Sequence, residues 1–96
     1  MELYSFVRLH VRTKRESEFE EALQEVMAAS REEAGCLKIH GYRSIRDARL
    51  FYIHSKWRNE EAFEVHAKMA HTVKFLTKVE ALTDQPLEVT RTERIG

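Results

Sequence analysis

The fold is decided by residues 36–57, CLKIHGYRSIRDARLFYIHSKW, where two stretches of alternating side chains flank a polar segment. Alternation with a period of two residues is typical of β-strands that are buried on one face. The segment SIRDAR between them, residues 44–49, is short and polar, as a turn between paired strands requires. The stretch therefore predicts a β-hairpin with strands at Cys36–Arg43 and Leu50–Trp57.

On the N-terminal side of the hairpin, the sequence predicts a strand followed by a helix. Residues 3–12 alternate as the hairpin strands do, and Thr13 and Glu16 have the spacing of a capping box at a helix start. Gly35 is expected to cap the helix C-terminus, because glycine adopts positive φ without a Cβ clash. An apolar stripe at helical spacing defines the buried side of this helix: Phe19, Ala22, Leu23, Val26 and Met27.

On the C-terminal side, Asn59 is a suitable N-cap for a second helical region, with Glu60 and Glu61 in its first turn. The apolar spacing continues helically to residue 82. Residues 83–86 break the pattern, and residues 87–93 alternate again. The predicted order is β, α, β, β, α, β in one domain of residues 1–96. This order indicates an α+β, ferredoxin-like, four-stranded antiparallel sheet with its helices on one face.

The predicted sheet has one apolar face and one aromatic face. We expect the helices to cover the apolar side chains, which are Val7, Leu9, Leu37, Ile39, Phe51, Ile53, Trp57, Leu87 and Val89. The opposite face would carry Tyr4, Phe6, Arg8, His10, His40, Tyr42, Tyr52, His54 and Lys56. This composition is typical of interfaces and predicts a homodimer through the open sheet face, a dimeric α+β barrel. The alternative is a monomer whose long side chains shield the aromatic rings.

Composition excludes several classes of protein. The 96 residues contain 16 Lys plus Arg and 16 Asp plus Glu, so the chain lacks the basic excess of nucleic-acid-binding proteins. A lone cysteine, Cys36, excludes an internal disulfide, and no secretory signal or membrane span is evident. We therefore expect a cytoplasmic protein with no nucleic-acid or membrane partner.

The five histidines are the main candidates for chemistry. His66 and His71 are five residues apart, which on a continuous helix is a poor spacing for a zinc pair. If the helix ends between them, both rings could border the space beside Trp57 and Phe63 and accept a proton near neutral pH. The alternative is that they are only structural hydrogen-bonding groups. His10, His40 and His54 share the aromatic face without a carboxylate to complete a metal site, so no metal is expected.

The run EEAGCLKIHGYRSIRDARLFYIHSKWRNEEAFEVHAKMAHTVKF, residues 32–75, resembles the antibiotic biosynthesis monooxygenase family, which includes small bacterial quinol monooxygenases. The matching pieces are EEAGCL, R-S-x-x-D, F-x-x-x-S-x-W, N-E-E-A-F and H-x-x-x-x-H followed by an aromatic residue. The resemblance implies oxidation of a small electron-rich aromatic, quinol-like substrate by O₂ without a cofactor. It also implies dimers formed by sheet packing.

On this resemblance, His66 and His71 are expected to be catalytic, and Trp57, Phe63, Phe75 and Ser55 to bind substrate. Ser55 is a departure, because many family members have Glu two residues before the Trp. The haem-degrading branch is disfavoured, since its functional positions are occupied here by Val7, His66 and Leu76. Two alternatives stay open: a non-catalytic dimeric module that binds a small ligand or serves in stress response, and an enzyme similar to the autoinducer-sugar isomerase branch.

Overall fold

A computed structural model describes all residues, 1–96, as a four-stranded antiparallel sheet with three helices. The elements are β1 (Leu3–His10), α1 (Glu16–Arg31), β2 (Cys36–Arg43), β3 (Leu50–Trp57), α2 (Glu60–Ala67), α3 (Ala70–Leu82) and β4 (Glu88–Thr92). The strand order across the sheet is β2-β3-β1-β4. The predicted ferredoxin-like fold is therefore confirmed. No helix is long and apolar enough to cross a membrane.

The hairpin pairs β2 with β3 in antiparallel register. Tyr42 lies opposite Tyr52 and His40 opposite His54. The polar connection is organised by its own side chains, because the Ser44 hydroxyl accepts hydrogen bonds from the backbone N–H groups of Arg46 and Asp47. Asp47 in turn accepts from the N–H of Arg49. These are the local bonds that favour turns at Ser and Asp.

The larger part of the core lies between the sheet and the helices α1 and α3. Its members are Leu9, Val11, Phe19, Ala22, Leu23, Val26, Met27, Ile39, Phe51, Ile53, Phe75, Val79 and Leu82. A smaller cluster of Leu3, Trp57 and Phe63 lies where β3 meets α2. The predicted stripe of α1 is buried as expected. The apolar interior is therefore divided into a larger and a smaller cluster.

Both predicted ends of α1 were wrong. The helix begins at Glu16 after Arg15, with no side-chain cap, and the Glu16 carboxylate accepts from the backbone N–H of Lys14. It ends at Arg31, well before Gly35, whose φ is not positive. The reason for a glycine at 35 is the close approach of Ala62, which leaves no space for a Cβ atom. Gly35 thus allows α2 to pack against the turn that precedes β2.

The prediction that Leu37 faces the helices was also wrong. A register irregularity between Cys36 and Lys38 shifts the strand, so Leu37 is about half exposed while Cys36 packs against the core. Val89 lies on the helix side of the sheet but is 47% exposed, because the helices pack much less closely on β4 than α1 does on β2. His10 keeps its predicted parity, yet loops at the end of the sheet bury it.

The second helical region is divided in two. Asn59 caps α2 as predicted, since its side chain accepts from the N–H of Ala62 at 2.8 Å. Instead of continuing to residue 82, however, the helix ends at Ala67, and α3 begins at Ala70 after a two-residue break at Lys68 and Met69. The break changes the chain direction between His66 and His71. Both imidazoles can therefore reach the same partner.

Candidate functional site

The two histidines on either side of the helix break converge on Glu33. The Nδ1 atom of His66 lies 2.7 Å from Oε2 of Glu33, and the Nε2 atom of His71 lies 2.8 Å from the same oxygen. The Glu33 side chain is only 7% exposed. Because a carboxylate oxygen can only accept, both imidazoles donate to it, and each therefore carries its proton on the nitrogen that faces Glu33.

Glu33 is held in place by the turn between α1 and β2. The backbone N–H of Glu33 donates to the carbonyl of Ser30, and its own carbonyl accepts from Cys36. The N–H of Arg58 donates to the carbonyl of Gly35, which ties this turn to the end of β3. The turn that carries the Glu33 side chain is consequently fixed relative to the sheet.

His66 lies against the indole of Trp57, with ring centroids 4.3 Å apart. Burial lowers the pKa of His66 below its ordinary value of 6.5, and the hydrogen bond to Glu33 only partly opposes this effect. The ring is therefore neutral near pH 7. Its Nδ1 donates to Glu33, so Nε2 keeps a lone pair that accepts no hydrogen bond within the protein. This is the protonation state that a general base requires.

A cavity of about 300 Å³ lies between the sheet and the helices, and His66 forms part of its wall. Apolar side chains from all layers form most of the remaining wall, among them Val7, Leu9, Ile53, Phe75 and Leu76. The polar lining consists of His66 with Ser5, Ser30, Ser55, Thr72 and Arg91. A mostly apolar cavity with a few converging polar groups is typical of small-molecule sites.

Four of the six predicted site residues line this cavity, and two lie outside its wall. Ser55, Phe63, His66 and Phe75 line it. Trp57 is fully buried and does not line the cavity; its Nε1–H donates to the Ser55 hydroxyl at 2.9 Å, and its ring supports His66. His71 also lies outside the cavity wall and reaches His66 through Glu33.

Sequence reasoning missed Glu33 and Ser5. Ser5 interrupts the apolar alternation Leu3-Ser5-Val7-Leu9, as Ser55 does in its own strand, which is a signal that could have identified it. Glu33 had no such signal, because it follows Glu32 in a charged helix end. Only the folded turn shows that the second of the two carboxylates points inward.

Glu33, His66 and His71 are also the residues with the types and spacing to hold a metal ion, since their donor atoms lie within 4.8 Å of one another. The helix break makes this possible, in contrast to the spacing on a continuous helix. In the structure, the two imidazoles and the carboxylate satisfy one another by hydrogen bonds.

Comparisons with known proteins agree with this architecture. The chain is 29% identical over 85 residues to the Bacillus subtilis (strain 168) protein YcnE, which is provisionally named as a monooxygenase; the match covers 88% of this chain and 90% of YcnE. The structure of Rv0793 from Mycobacterium tuberculosis superimposes with a TM-score of 0.94 at 20% identity, covering 100% of this chain and 97% of Rv0793.

A variant of SnoaB from Streptomyces nogalater, described as a cofactor-independent oxygenase, superimposes with a TM-score of 0.87 at 17% identity. The match covers 97% of this chain and 92% of SnoaB. At sequence identities this low, the two structural matches show that this chain shares their fold. The family model described as antibiotic biosynthesis monooxygenase matches residues 3–78, most of the sequence. The chain therefore belongs to the antibiotic biosynthesis monooxygenase family.

Proposed function

We propose that this protein is a cofactor-independent monooxygenase that oxidises a small, electron-rich, quinol-like aromatic with O₂. The observation that carries the proposal is the state of His66. Its Nδ1 is engaged by the buried Glu33 carboxylate, while its Nε2 is without a partner and its ring lines the cavity. A neutral imidazole oriented in this way accepts a proton from a hydroxyl placed against Nε2.

Proton removal is the step that the protein has to assist. A phenolate is a much stronger reductant than the phenol, so it can pass an electron directly to O₂. All electrons that reduce O₂ come from the substrate: one oxygen atom bonds to a ring carbon as a hydroxyl of the quinone product, and the other leaves as water. The proton held by His66 can return to the departing oxygen.

The lining of the cavity supports this chemistry. Its walls are mostly apolar, and Phe63 and Phe75 provide aromatic surfaces against which a flat substrate can pack. Its volume of about 300 Å³ is suited to a small ring system. The family assignment and the description of SnoaB as a cofactor-independent oxygenase are consistent with the same reaction class.

The two histidines have different roles in this proposal. His66 touches the substrate, whereas His71 is a positioning residue that holds Glu33 through its Nε2. Replacement of His66 removes the proton acceptor. Replacement of His71 leaves the bond between Glu33 and His66 in place, so its effect should be smaller.

Oxygen consumption with menadiol as the quinol tests the proposal. The parent protein is expected to consume O₂ faster than the uncatalysed reaction, and His66→Gln to lower kcat by about 10²–10⁴-fold. His71→Gln should retain more activity than His66→Gln, and treatment with a chelator should leave the parent rate unchanged. If the parent protein consumes O₂ no faster than the uncatalysed reaction with every quinol of a panel, the proposal is contradicted and a binding module is favoured. A rate that follows bound metal would contradict the cofactor-independent mechanism.

We also propose that the active form is a homodimer joined through the open sheet face. Phe6, Tyr42 and Tyr52 are 48%, 52% and 40% exposed on the side of the sheet that no helix covers. Phe6 stacks on His54 with ring centroids 4.8 Å apart, so aromatic rings from β1 and β3 meet on this face. Surfaces of this kind are typical of protein interfaces.

Sedimentation equilibrium is expected to give twice the chain mass for the parent protein. Tyr52→Glu would place a charge in the centre of the interface and should produce a monomer. Val73→Glu is a matched control, because Val73 is similarly exposed (51%) but lies on α3, on the helical side. A parent protein that sediments as a monomer would contradict this assembly.

A further inference from the structure

The hydroxyl of Ser5 is the one buried side-chain oxygen or nitrogen in the protein without a hydrogen-bond partner. Ser5 is 0% exposed and, like His66, lines the cavity. Burial of an unsatisfied hydroxyl costs free energy, so such groups in folded proteins commonly serve a ligand. Ser5 is therefore a group whose partner is expected to arrive with the substrate.

The strand register shows that Ser5 belongs to a polar row at one end of the cavity floor. Its cross-strand neighbours are Ser55 on β3 and Arg91 on β4. All three side chains line the cavity. On the same face of the sheet, the next row consists of Ile53, Val7 and Val89, all apolar. The floor thus changes from polar to apolar over a single step along the strands.

Ser55 can also donate into this polar end. Its oxygen accepts the Nε1–H of Trp57 at 2.9 Å, and its own hydrogen is committed to no acceptor within the protein. Since the Trp57 ring lies against His66, the Ser55 hydroxyl and the His66 imidazole lie at the same end of the cavity. Because Ser5 lies opposite Ser55 on the neighbouring strand, two hydroxyl donors and one proton acceptor line the same end of the cavity.

We infer that Ser5, with Ser55, binds the substrate oxygen and stabilises the phenolate that forms when His66 takes its proton. This inference rests on the proposed function for the identity of that oxygen. The proton moves from the phenol oxygen to Nε2 of His66, and the negative charge that stays on the oxygen receives the two O–H donors. No bond other than O–H is broken in this step, and no electron is transferred.

The arrangement defines a substrate class. A ring system with a free hydroxyl at one end places that oxygen on the Ser5 row and its hydrocarbon part on the row of Ile53, Val7 and Val89. A molecule with a methyl group in place of the hydroxyl would bury both serine hydroxyls without partners. Sites built to hydrogen-bond a hydroxyl discriminate strongly against analogues that lack it.

Binding of 1-naphthol and 1-methylnaphthalene, measured by equilibrium dialysis, tests the inference without any oxygen chemistry. The parent protein should prefer 1-naphthol. Ser5→Ala is expected to lower the affinity for 1-naphthol by about tenfold, as for the loss of one strong hydrogen bond, with no loss for 1-methylnaphthalene. Ser17→Ala is the matched control, because it also removes one serine hydroxyl but Ser17 lies exposed on α1, outside the cavity. This variant should keep the parent's preference.

Urea denaturation separates a binding role from a structural one. Since the Ser5 hydroxyl has no partner in the protein, Ser5→Ala should unfold at the same or a higher urea concentration than the parent. The inference is overturned if the parent shows no preference for 1-naphthol, or if Ser5→Ala keeps the parent's preference. It is also overturned if the loss of affinity accompanies a loss of stability. The expected binding results together with background O₂ consumption from menadiol would instead overturn only the proposed function.

Discussion

The protein contains two clusters in which a shielded histidine meets carboxylate, and they have opposite compositions. In the cavity cluster, one carboxylate, Glu33, accepts from two imidazoles, His66 and His71. In the loop cluster, one imidazole, His10, lies between two carboxylates, with Nδ1 2.7 Å from Asp84 and Nε2 3.0 Å from Asp47. The first borders the cavity, whereas the second joins the β2–β3 loop to the segment between α3 and β4.

The number of carboxylates per imidazole explains why the pKa values of His66 and His10 shift in opposite directions. Burial lowers the pKa of His66, because a single carboxylate shared with His71 does not compensate for lost solvation. Hydrogen bonds to Asp84 and then Asp47 raise the pKa of His10 above 6.5. An imidazole with both nitrogens engaged is a structural cation, whereas one with a vacant nitrogen is equipped for proton transfer.

The test with the largest expected effect replaces one carboxylate in each cluster. Glu33→Ala leaves His66 without the acceptor that fixes its tautomer, and kcat for quinol oxidation is expected to fall about a hundredfold with little change in KM. Glu33→Gln should recover part of the activity, because the amide oxygen can still accept from Nδ1. Asp84→Asn, in the loop cluster, should keep a kcat close to that of the parent. Equal losses in Glu33→Ala and Asp84→Asn would contradict the separation of roles.

A second test concerns the close packing of Gly35 against Ala62, on which only the cavity cluster depends. Gly35→Ala would drive a Cβ atom into that of Ala62 on α2, and neither group can rotate away. The expected cost in the free energy of unfolding is about 1–3 kcal/mol, measured by urea denaturation, with reduced quinol oxidation as α2 shifts. Gly41→Ala is the matched control, since its Cβ would meet the flexible end of Leu23 and should cost less. A larger cost at Gly41 would contradict this explanation.

The smallest expected effect is on the pH dependence of stability. His10, with its raised pKa, contributes stability that is complete below pH 6.5 and is lost as the pH rises through its folded pKa. His66, with its lowered pKa, favours the folded state above 6.5, and this contribution is lost as the pH falls through the window between 6.5 and its folded pKa.

Urea denaturation between about pH 5 and 8 measures both contributions. His10→Gln should flatten the decline in stability on the alkaline side, and His66→Gln the decline on the acidic side. A variant that flattens the opposite side would reverse the assignment of the two clusters.

The sequence predicted those parts of the fold that depend on periodicity. Alternation located all four strands, because a strand buried on one face must repeat every second residue. The ends of α1 were not predictable in the same way: Thr13 and Gly35 have residue types that commonly cap helices, but tertiary contacts determine where this helix begins and ends. Leu37 was misplaced because a bulge inverts the parity of a single residue.

The site was predictable only in part. The H-x-x-x-x-H spacing drew attention to His66 and His71, and the condition that the helix must end between them is met at Lys68 and Met69. The residue that joins them, Glu33, lies more than thirty positions earlier in the chain. A contact of that kind depends on how a turn packs against a helix, which local pattern does not encode.

The break at Lys68 and Met69 makes α2 a separate helix of eight residues. Asn59 caps one end of this helix, and a two-residue link follows the other. Of its residues, Phe63, His66 and Ala67 face the cavity. Grafting this short segment between relatives with the same anchors would exchange the α2 part of the cavity wall while the part supplied by the strands stays constant. Substrate preference could then be re-engineered one layer at a time.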